Sequence, residues 1–306
     1  MIVPRKPLDS FAIGVMLLLC LCWGLQQVAV KVAAPSMNPV LQLGIRSGVA
    51  ALMVALLMLG RRKFTIEPGT LWPGVVAGVL FAAEFFCVAI SLIYTTASHV
   101  SVFLYTSPVF LVLGLHWLVP GEKMRPLQWS GVLLAFAGIA LAFADGFGGV
   151  AVSWKTLLLG DAMAVLSGIL WAGTTLTIRA TALSEAAPTT TLLYQLGIAG
   201  VILIAVPLAT GQHLVWPLAP IAWLSLIFQT VVVAFASFLA WFWLLRRYLT
   251  SRLSVFSFLT PLFGVAFGVL LLDDPIGWRF GGGAVLVLAG IVLVNLPTSR
   301  RKPLTK

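Results

Sequence analysis

The chain has 306 residues, 60% of them hydrophobic and only 9% charged, with a mean hydropathy of +1.07. Soluble domains run near ~45–50% apolar and about 25% charged, so this composition excludes a water-soluble globule. A formal net charge of +10 raises the question of a nucleic-acid partner, and the answer depends on where the charges fall along the chain.

Apolar runs of about 20 residues, each long enough to cross a hydrocarbon layer of about 30 Å as a helix, recur from end to end with short polar breaks. In chain order the predicted spans are 11–33, 38–59, 71–92, 95–118, 126–143, 156–180, 189–208, 219–244, 252–272 and 276–296. Pro35 and Pro39 flank the first turn, Pro68 and Pro73 mark the third span, and Pro120 and Pro126 mark the fifth. Proline lacks the N–H that would continue a helix, so these breaks have a physical cause. Pro108, Pro207 and Pro261 lie inside or near the ends of apolar runs and predict kinks.

Span 1 follows Arg5 and Lys6 and imitates a signal peptide, with Leu17-Leu18-Leu19-Cys20 imitating a lipoprotein cleavage site. Leu19 is too large for the residue before such a cysteine, and nine further spans follow, so the first helix is read as retained. Cys20, Cys22 and Cys87 all fall inside spans, the first two on different helix faces, so neither a disulfide nor a metal pair is expected.

With the N-terminus placed inside, Arg5, Lys6, Arg61, Arg62, Lys63, Arg246 and Arg247 share one side, whereas only Lys155 and Arg279 fall clearly outside. That asymmetry obeys the positive-inside rule. The basic balance is then a topology signal that requires no nucleic acid, with both termini in the cytoplasm and the chain in a bacterial-type inner membrane.

An internal repeat organises the whole chain. Cys22-Trp23-Gly24 with Lys31 recurs as Leu170-Trp171-Ala172 with Arg179; Ser98, Ser101, Val102, Phe103 and Pro108 align without a gap onto Ser251, Ser254, Val255, Phe256 and Pro261; residues 137–141 match 289–293. The offset drifts from 148 to 153, which leaves span 2 with two registers, Arg46 or Gln42 opposite Gln195. Each copy holds five spans, an odd number, so the second must enter the membrane inverted. The expected fold is therefore all-α and integral to the membrane: ten transmembrane helices in two inverted five-helix repeats, residues 1–149 and 150–306, around a central cavity.

These features carry a resemblance. Trp23-Gly24 in span 1 with Lys31 eight residues after the Trp, Arg46 in span 2, Pro108 and Pro261 in spans 4 and 9, acidic residues after those spans (Glu122, and Asp273 or Asp274), and Gly-rich spans 5 and 10 are similar to the drug/metabolite transporter superfamily, in its ten-helix form with two EamA-type domains. The resemblance implies a cavity lined mainly by spans 1, 3, 4, 6, 8 and 9, with 5 and 10 as peripheral scaffold. It also implies transport of small metabolites, as in bacterial amino-acid exporters.

Ionisable and polar groups at bilayer depth are expensive and are functional candidates by default. Glu84, central in span 3, reads either as a proton-carrying or cation-recognising group or as a structural carboxyl; its repeat partner is Ser237. Trp23, Gln27 and Lys31 share a helix face, echoed by Trp171, Thr175 and Arg179. We expect Trp23, Gln27, Trp171 and Thr175 to line the cavity and Lys31 and Arg179 to act as headgroup anchors. Ser101 and Tyr105 read equally as cavity lining or as packing hydroxyls. His99 is a second proton-coupling candidate beside Glu84, because an imidazole is the side chain suited to proton exchange near neutral pH, although it lies close to a span end, where a solvated His is unremarkable. Span 8 offers Ser237 and Trp241, with Trp241 the best aromatic there. In span 2, Gln42 and Arg46 stand one turn apart, and Arg46 reads as a structural charge partner or as a group facing the outer vestibule, the structural reading being preferred. Gly264 and Gly268, Gly74 and Gly78, and Gly277 and Gly281 stand four apart and permit close helix approach.

No catalytic constellation argues for an intramembrane enzyme, no repeated filter argues for a channel, and no phosphate loop supports ATP coupling. No cofactor or metal is implied, and the partners are the lipid bilayer and a small-molecule substrate, with monomer and homodimer both left open. The expected function is secondary export of small organic metabolites by alternating access, amino acids including aromatic ones. The alternative is proton-driven efflux of drugs, toxic cations or other metabolites.

Overall fold

The computed structural model describes residues 5–61, 66–94, 100, 103–142, 144, 154–211, 216–272 and 278–296. His99, Ser98 and Ser101 lie outside the described residues, as do the side chains of Gln27 and Lys31. The helices are α1 (Ser10–Ala33), α2 (Pro39–Gly60), α3 (Leu71–Tyr94), α4 (Ser107–Leu118), α5 (Pro126–Ala142), α6 (Trp154–Ala180), α7 (Pro188–Ala209), α8 (Pro220–Arg247), α9 (Thr250–Phe256), α10 (Leu259–Leu272) and α11 (Trp278–Asn295). Among the described residues the only β-type pairing is an isolated bridge between Lys6 and Tyr248.

Seven of these helices are long and apolar enough to cross a membrane, and α4 and α5 are shorter apolar helices. Large apolar side chains such as Leu52, Leu56, Val201, Leu270 and Val285 point outward, as a lipid-facing surface requires. Local signals set several starts. Asn38 caps α2 by accepting from the Val40 N–H at 2.8 Å, and Pro39, Pro188 and Pro220 occupy first-turn positions, where a missing N–H costs nothing.

The kinks expected at Pro108 and Pro261 are full breaks. A turn at Tyr105 and Thr106 precedes α4, and a turn at Ser257 and Phe258 separates α9 from α10. Each proline denies a hydrogen bond to the carbonyl four residues earlier, that of Leu104 and that of Ser257. Pro207 sits inside α7 one turn from its end. The middle of α8, Phe228–Ser237, widens into a π-helix, a form often found at functional sites.

Helix α1 packs on α10 and α4 on α6; α2 packs on α7, α5 on α11, α3 on α6 and α7, and α8 on α1 and α2. Two crossings depend on glycine. A Cβ at Gly131 would sit 2.8 Å from the Gly290 carbonyl oxygen and one at Gly138 would sit 2.6 Å from that of Gly283, so α5 and α11 touch backbone to backbone and run antiparallel. Gly44 meets Leu203, and Gly200 meets Gly48, which makes the α2–α7 crossing antiparallel as well. Of the glycine pairs singled out in the sequence, Gly74 and Gly78 abut Tyr194 and Ile198, and Gly264 faces Gly24. Gly281 faces open space, so the helix uses Gly283 and Gly290 for its crossing instead.

Three polar assemblies hold the bundle. Gln42 donates to the Met37 carbonyl at 2.8 Å and accepts from Gln229 at 3.1 Å, while Gln229 also donates to Ser225, whose hydroxyl donates to the Ala29 carbonyl. This staples α1, α2 and α8. Glu122 is 1% exposed and accepts from Arg179 Nε at 3.3 Å, the Thr250 N–H at 2.9 Å, the Ser251 N–H at 3.1 Å and the Ser251 hydroxyl at 2.6 Å. Arg179 is therefore not a headgroup anchor: it is 2% exposed and paired inside the protein, because Glu122 supplies a counter-charge that sequence spacing does not reveal. Third, the N-terminal segment straps one end. Lys6 exchanges backbone hydrogen bonds with Arg247 and Leu249, Arg5 reaches Ser184 and Glu185, and Tyr248 donates to Asp9 at 2.8 Å. The Ala12 N–H, and then the Tyr248 hydroxyl, hold the Asp9 carboxyl below the usual carboxylate range.

Candidate functional site

Between the helices lies a cavity of about 140 Å³. Its walls come from α1 (Trp23, Gln26, Val30), α2 (Pro39, Leu43), α3 (Phe81, Glu84, Phe85), the turn before α4 (Leu104, Tyr105), α6 (Trp171, Thr174, Thr175), α7 (Gln195), α8 (Phe238, Trp241) and the turn between α9 and α10 (Ser257). Helices α2 and α7 stand outside the lining that the resemblance implied, yet both contribute to it.

Aromatic rings form most of the wall. Trp23 meets Trp241 edge-on at 5.7 Å and Phe238 at 6.4 Å; Trp171 lies 6.2 Å from Trp241; Phe81 contacts Phe85 at 4.9 Å and Phe238 at 5.8 Å. Such contacts fix rings in preferred offset or edge arrangements and leave their free faces toward the cavity. Trp23 is fixed further by its Nε1–H, which donates to Ser237 at 2.9 Å. Ser237 is not part of the lining: its hydroxyl donates to the Val233 carbonyl at 2.6 Å and accepts from Trp23, so it orients an indole from one layer behind.

The helix breaks have a use here. Leu104 and Ser257, whose carbonyls lose their i+4 donors to Pro108 and Pro261, both border the cavity, and the Ser257 carbonyl accepts from the Thr260 N–H at 3.0 Å instead. Irregular backbone at membrane depth is tolerated where it lines such a space.

Charge enters through Glu84, buried in the wall with its Oε2 lacking any hydrogen-bond partner. Arg46 lies just behind, fully buried. Its Nη1 donates to Gln26 Oε1 at 2.7 Å and its guanidinium sits 4.8 Å over the Phe85 ring, while its Nε and Nη2 have no partner among the described residues. Arg46 and Glu84 attract each other electrostatically without bonding directly.

The cavity thus gathers Trp23, Glu84, Tyr105, Trp171, Thr175 and Trp241 from the residues singled out in the sequence. Ser237 stands behind, and Gln27 (its side chain), Ser101 and His99 fall outside the description. Sequence reasoning missed Gln26, Thr174, Gln195, Phe81 and Phe238. Helical neighbours lie at both i+3 and i+4, and the i+4 choice from Trp23 and Trp171 passed over Gln26 and Thr174 at i+3. The same rule applied around Glu84 finds Phe81, and Phe85 beside it.

A multi-pass helical bundle that holds an aromatic cavity with a buried charge at lipid depth defines a membrane transporter. More particularly, the model of the EamA-like transporter family matches residues 10–144 and again 158–296, and the chain belongs to that family, within the drug/metabolite transporter superfamily. It is similar to the uncharacterized transporter YvbV of Bacillus subtilis strain 168, at 27% identity over 93% of this chain and 91% of that protein. A probable amino-acid metabolite efflux pump of Escherichia coli K12 is 26% identical over 90% of this chain and 92% of its own length. The aromatic amino acid exporter YddG of Salmonella typhimurium is 27% identical over 75% of this chain and 80% of its own length. One solved crystal structure superposes with a TM-score of 0.78 at 18% identity, covering 94% of this chain and 96% of that chain, a likeness of fold.

Proposed function

We propose that the protein is a secondary exporter of amino acids, aromatic ones included, built from two inverted five-helix copies, residues 1–149 and 150–306, with ten spans in all. Several observations support the inverted copies. The family matches twice in tandem. The α1–α10 contact has its counterpart in α4–α6, and α3–α6 has its counterpart in α8–α1. The equivalent helices α2 and α7, and likewise α5 and α11, cross antiparallel, as copies of opposite orientation require.

The observation that carries the substrate reading is the cavity wall itself: edge-on and tilted indoles and phenyl rings around one buried carboxylate, an environment that suits a small molecule with an apolar ring and few fixed charges. Relatives named as an amino-acid metabolite efflux pump and an aromatic amino acid exporter support the same class. A second reading, proton-coupled efflux of an organic cation, draws on the same carboxylate among indoles.

The charge asymmetry supports a bacterial inner membrane with both termini on the cytoplasmic side. The strap of Arg5, Lys6 and Asp9 and the Glu122 knot then seal the cytoplasmic end, while the cavity reaches Val30 and Pro39 toward the α1–α2 turn. The arrangement is that of an outward-facing carrier.

Purified protein in proteoliposomes tests the substrate reading. Saturable uptake of labelled phenylalanine, competed by other aromatic amino acids, is the expected result; no competition by any amino acid in a metabolite panel refutes it.

A further inference from the structure

We infer that Gln26, Arg46 and Glu84 form a split site for the two charged ends of a zwitterion, with Gln26 and Arg46 receiving the carboxylate and Glu84 the ammonium. This rests on the amino-acid reading and names the residues that would make the pocket select a free amino acid over its one-ended analogues.

Arg46 and Glu84 both carry unmet hydrogen-bonding capacity among the described residues. A buried guanidinium normally spends its donors on carboxylates or carbonyls, because leaving them bare in a low-dielectric interior is costly. Arg46, with no exposure at all, spends only Nη1, on Gln26, and leaves Nε and Nη2 bare. Glu84 repeats the anomaly with opposite sign, since its Oε2 is buried without a partner. The two charges attract but do not meet, so each faces its opposite with an unfilled bond. A bare acceptor in the cavity wall, with bare donors one layer behind Gln26, matches a ligand that carries an acceptor at one end and a donor at the other.

Gln26 makes the link to the cavity. Its Oε1 is held by Arg46, its side chain borders the open space, and its Nε2 donates to no described residue. A carboxylate entering there meets the Gln26 amide first and the positive field of Arg46 directly behind it. The ammonium end, a short reach away on the same molecule, takes Glu84, and the side chain is left against Trp23, Trp171 and Trp241. Arg46 is thus a positioning residue that also supplies charge. The second half has no equivalent pair, since Ser237 is opposite Glu84 in the repeat and orients Trp23 instead.

Competition by charge-deleted analogues reads this out. In the wild type, phenylalanine amide, which lacks the carboxylate, and 3-phenylpropionate, which lacks the ammonium, should each compete with labelled phenylalanine roughly 10- to 100-fold more weakly than phenylalanine. Arg46→Gln and Gln26→Ala should each erase the discrimination against the amide while keeping that against 3-phenylpropionate, and Glu84→Gln should do the reverse. If Arg46→Gln does not fold, Gln26→Ala carries the carboxylate arm alone. Unchanged discrimination in Gln26→Ala and Glu84→Gln overturns the split site while phenylalanine transport stands. Failure of phenylalanine to be transported by the wild type instead removes the amino-acid reading beneath it.

Discussion

The protein buries two arginine–glutamate pairs, and they are built differently. Around Glu122 every oxygen is used: one arginine nitrogen, two backbone N–H groups and a serine hydroxyl converge on it. Around Glu84 and Arg46 one carboxylate oxygen and two guanidinium nitrogens remain bare. Arg179 Nη1 is bare as well, so the difference lies in the carboxylates: a saturated one rigidifies the join between the α6 end and the α9 start, and an unsaturated one stores unmet bonding capacity beside a cavity. Both pairs are buried, so satisfaction of the carboxylate separates scaffold from site.

Glu122→Ala should give the largest effect. It strands Arg179 without a counter-charge and uncaps α9, so a loss of about 3–5 kcal/mol is expected, seen as a melting temperature lower on the order of 10 °C in detergent. A near-wild-type melting temperature would mean that the saturated pair contributes little, and the contrast between the two pairs would dissolve.

The smallest effect belongs to the strap. Asp9 is exposed to solvent and has a lowered folded pKa, so its contribution is present above its ordinary value of 3.8 and is lost as pH falls through the folded value. Tyr248 is raised by its bond to Asp9, so its contribution is present below its ordinary value of 10.0 and is lost as pH rises past it. The melting difference between wild type and Tyr248→Phe should therefore be greatest between about pH 5 and about pH 9 and shrink toward both extremes. A difference that does not vary with pH would assign the Tyr248 contribution to packing alone.

Much of this was legible in the chain. The helix order follows from apolar run length and proline placement, because lipid forces each crossing segment to satisfy its own backbone. Trp23, Trp171 and Glu84 were legible because such residues are scarce at bilayer depth. What was not legible depends on contacts between distant segments. Arg179 looked like an anchor until Glu122, 57 residues away, was placed against it. That Gln26 faces the cavity is decided by the rotation of α1, which its sequence position alone does not give. The π-helix in α8 leaves no mark in composition, and the glycines that cross α5 and α11 stand seven apart, outside the four-residue spacing by which packing glycines are usually sought.

The distinction between the two pairs is tested most directly by phenylalanine-dependent thermal stabilisation of purified wild type and Glu84→Gln. A ligand that binds the folded state raises its melting temperature by mass action. The expected result is a concentration-dependent rise in the wild type, and a Glu84→Gln protein that melts at or above the wild-type temperature without ligand but gains at least tenfold less sensitivity to phenylalanine, roughly the value of one charge-assisted hydrogen bond. A Glu84→Gln protein that is grossly destabilised, or that responds to phenylalanine as the wild type does, would contradict it.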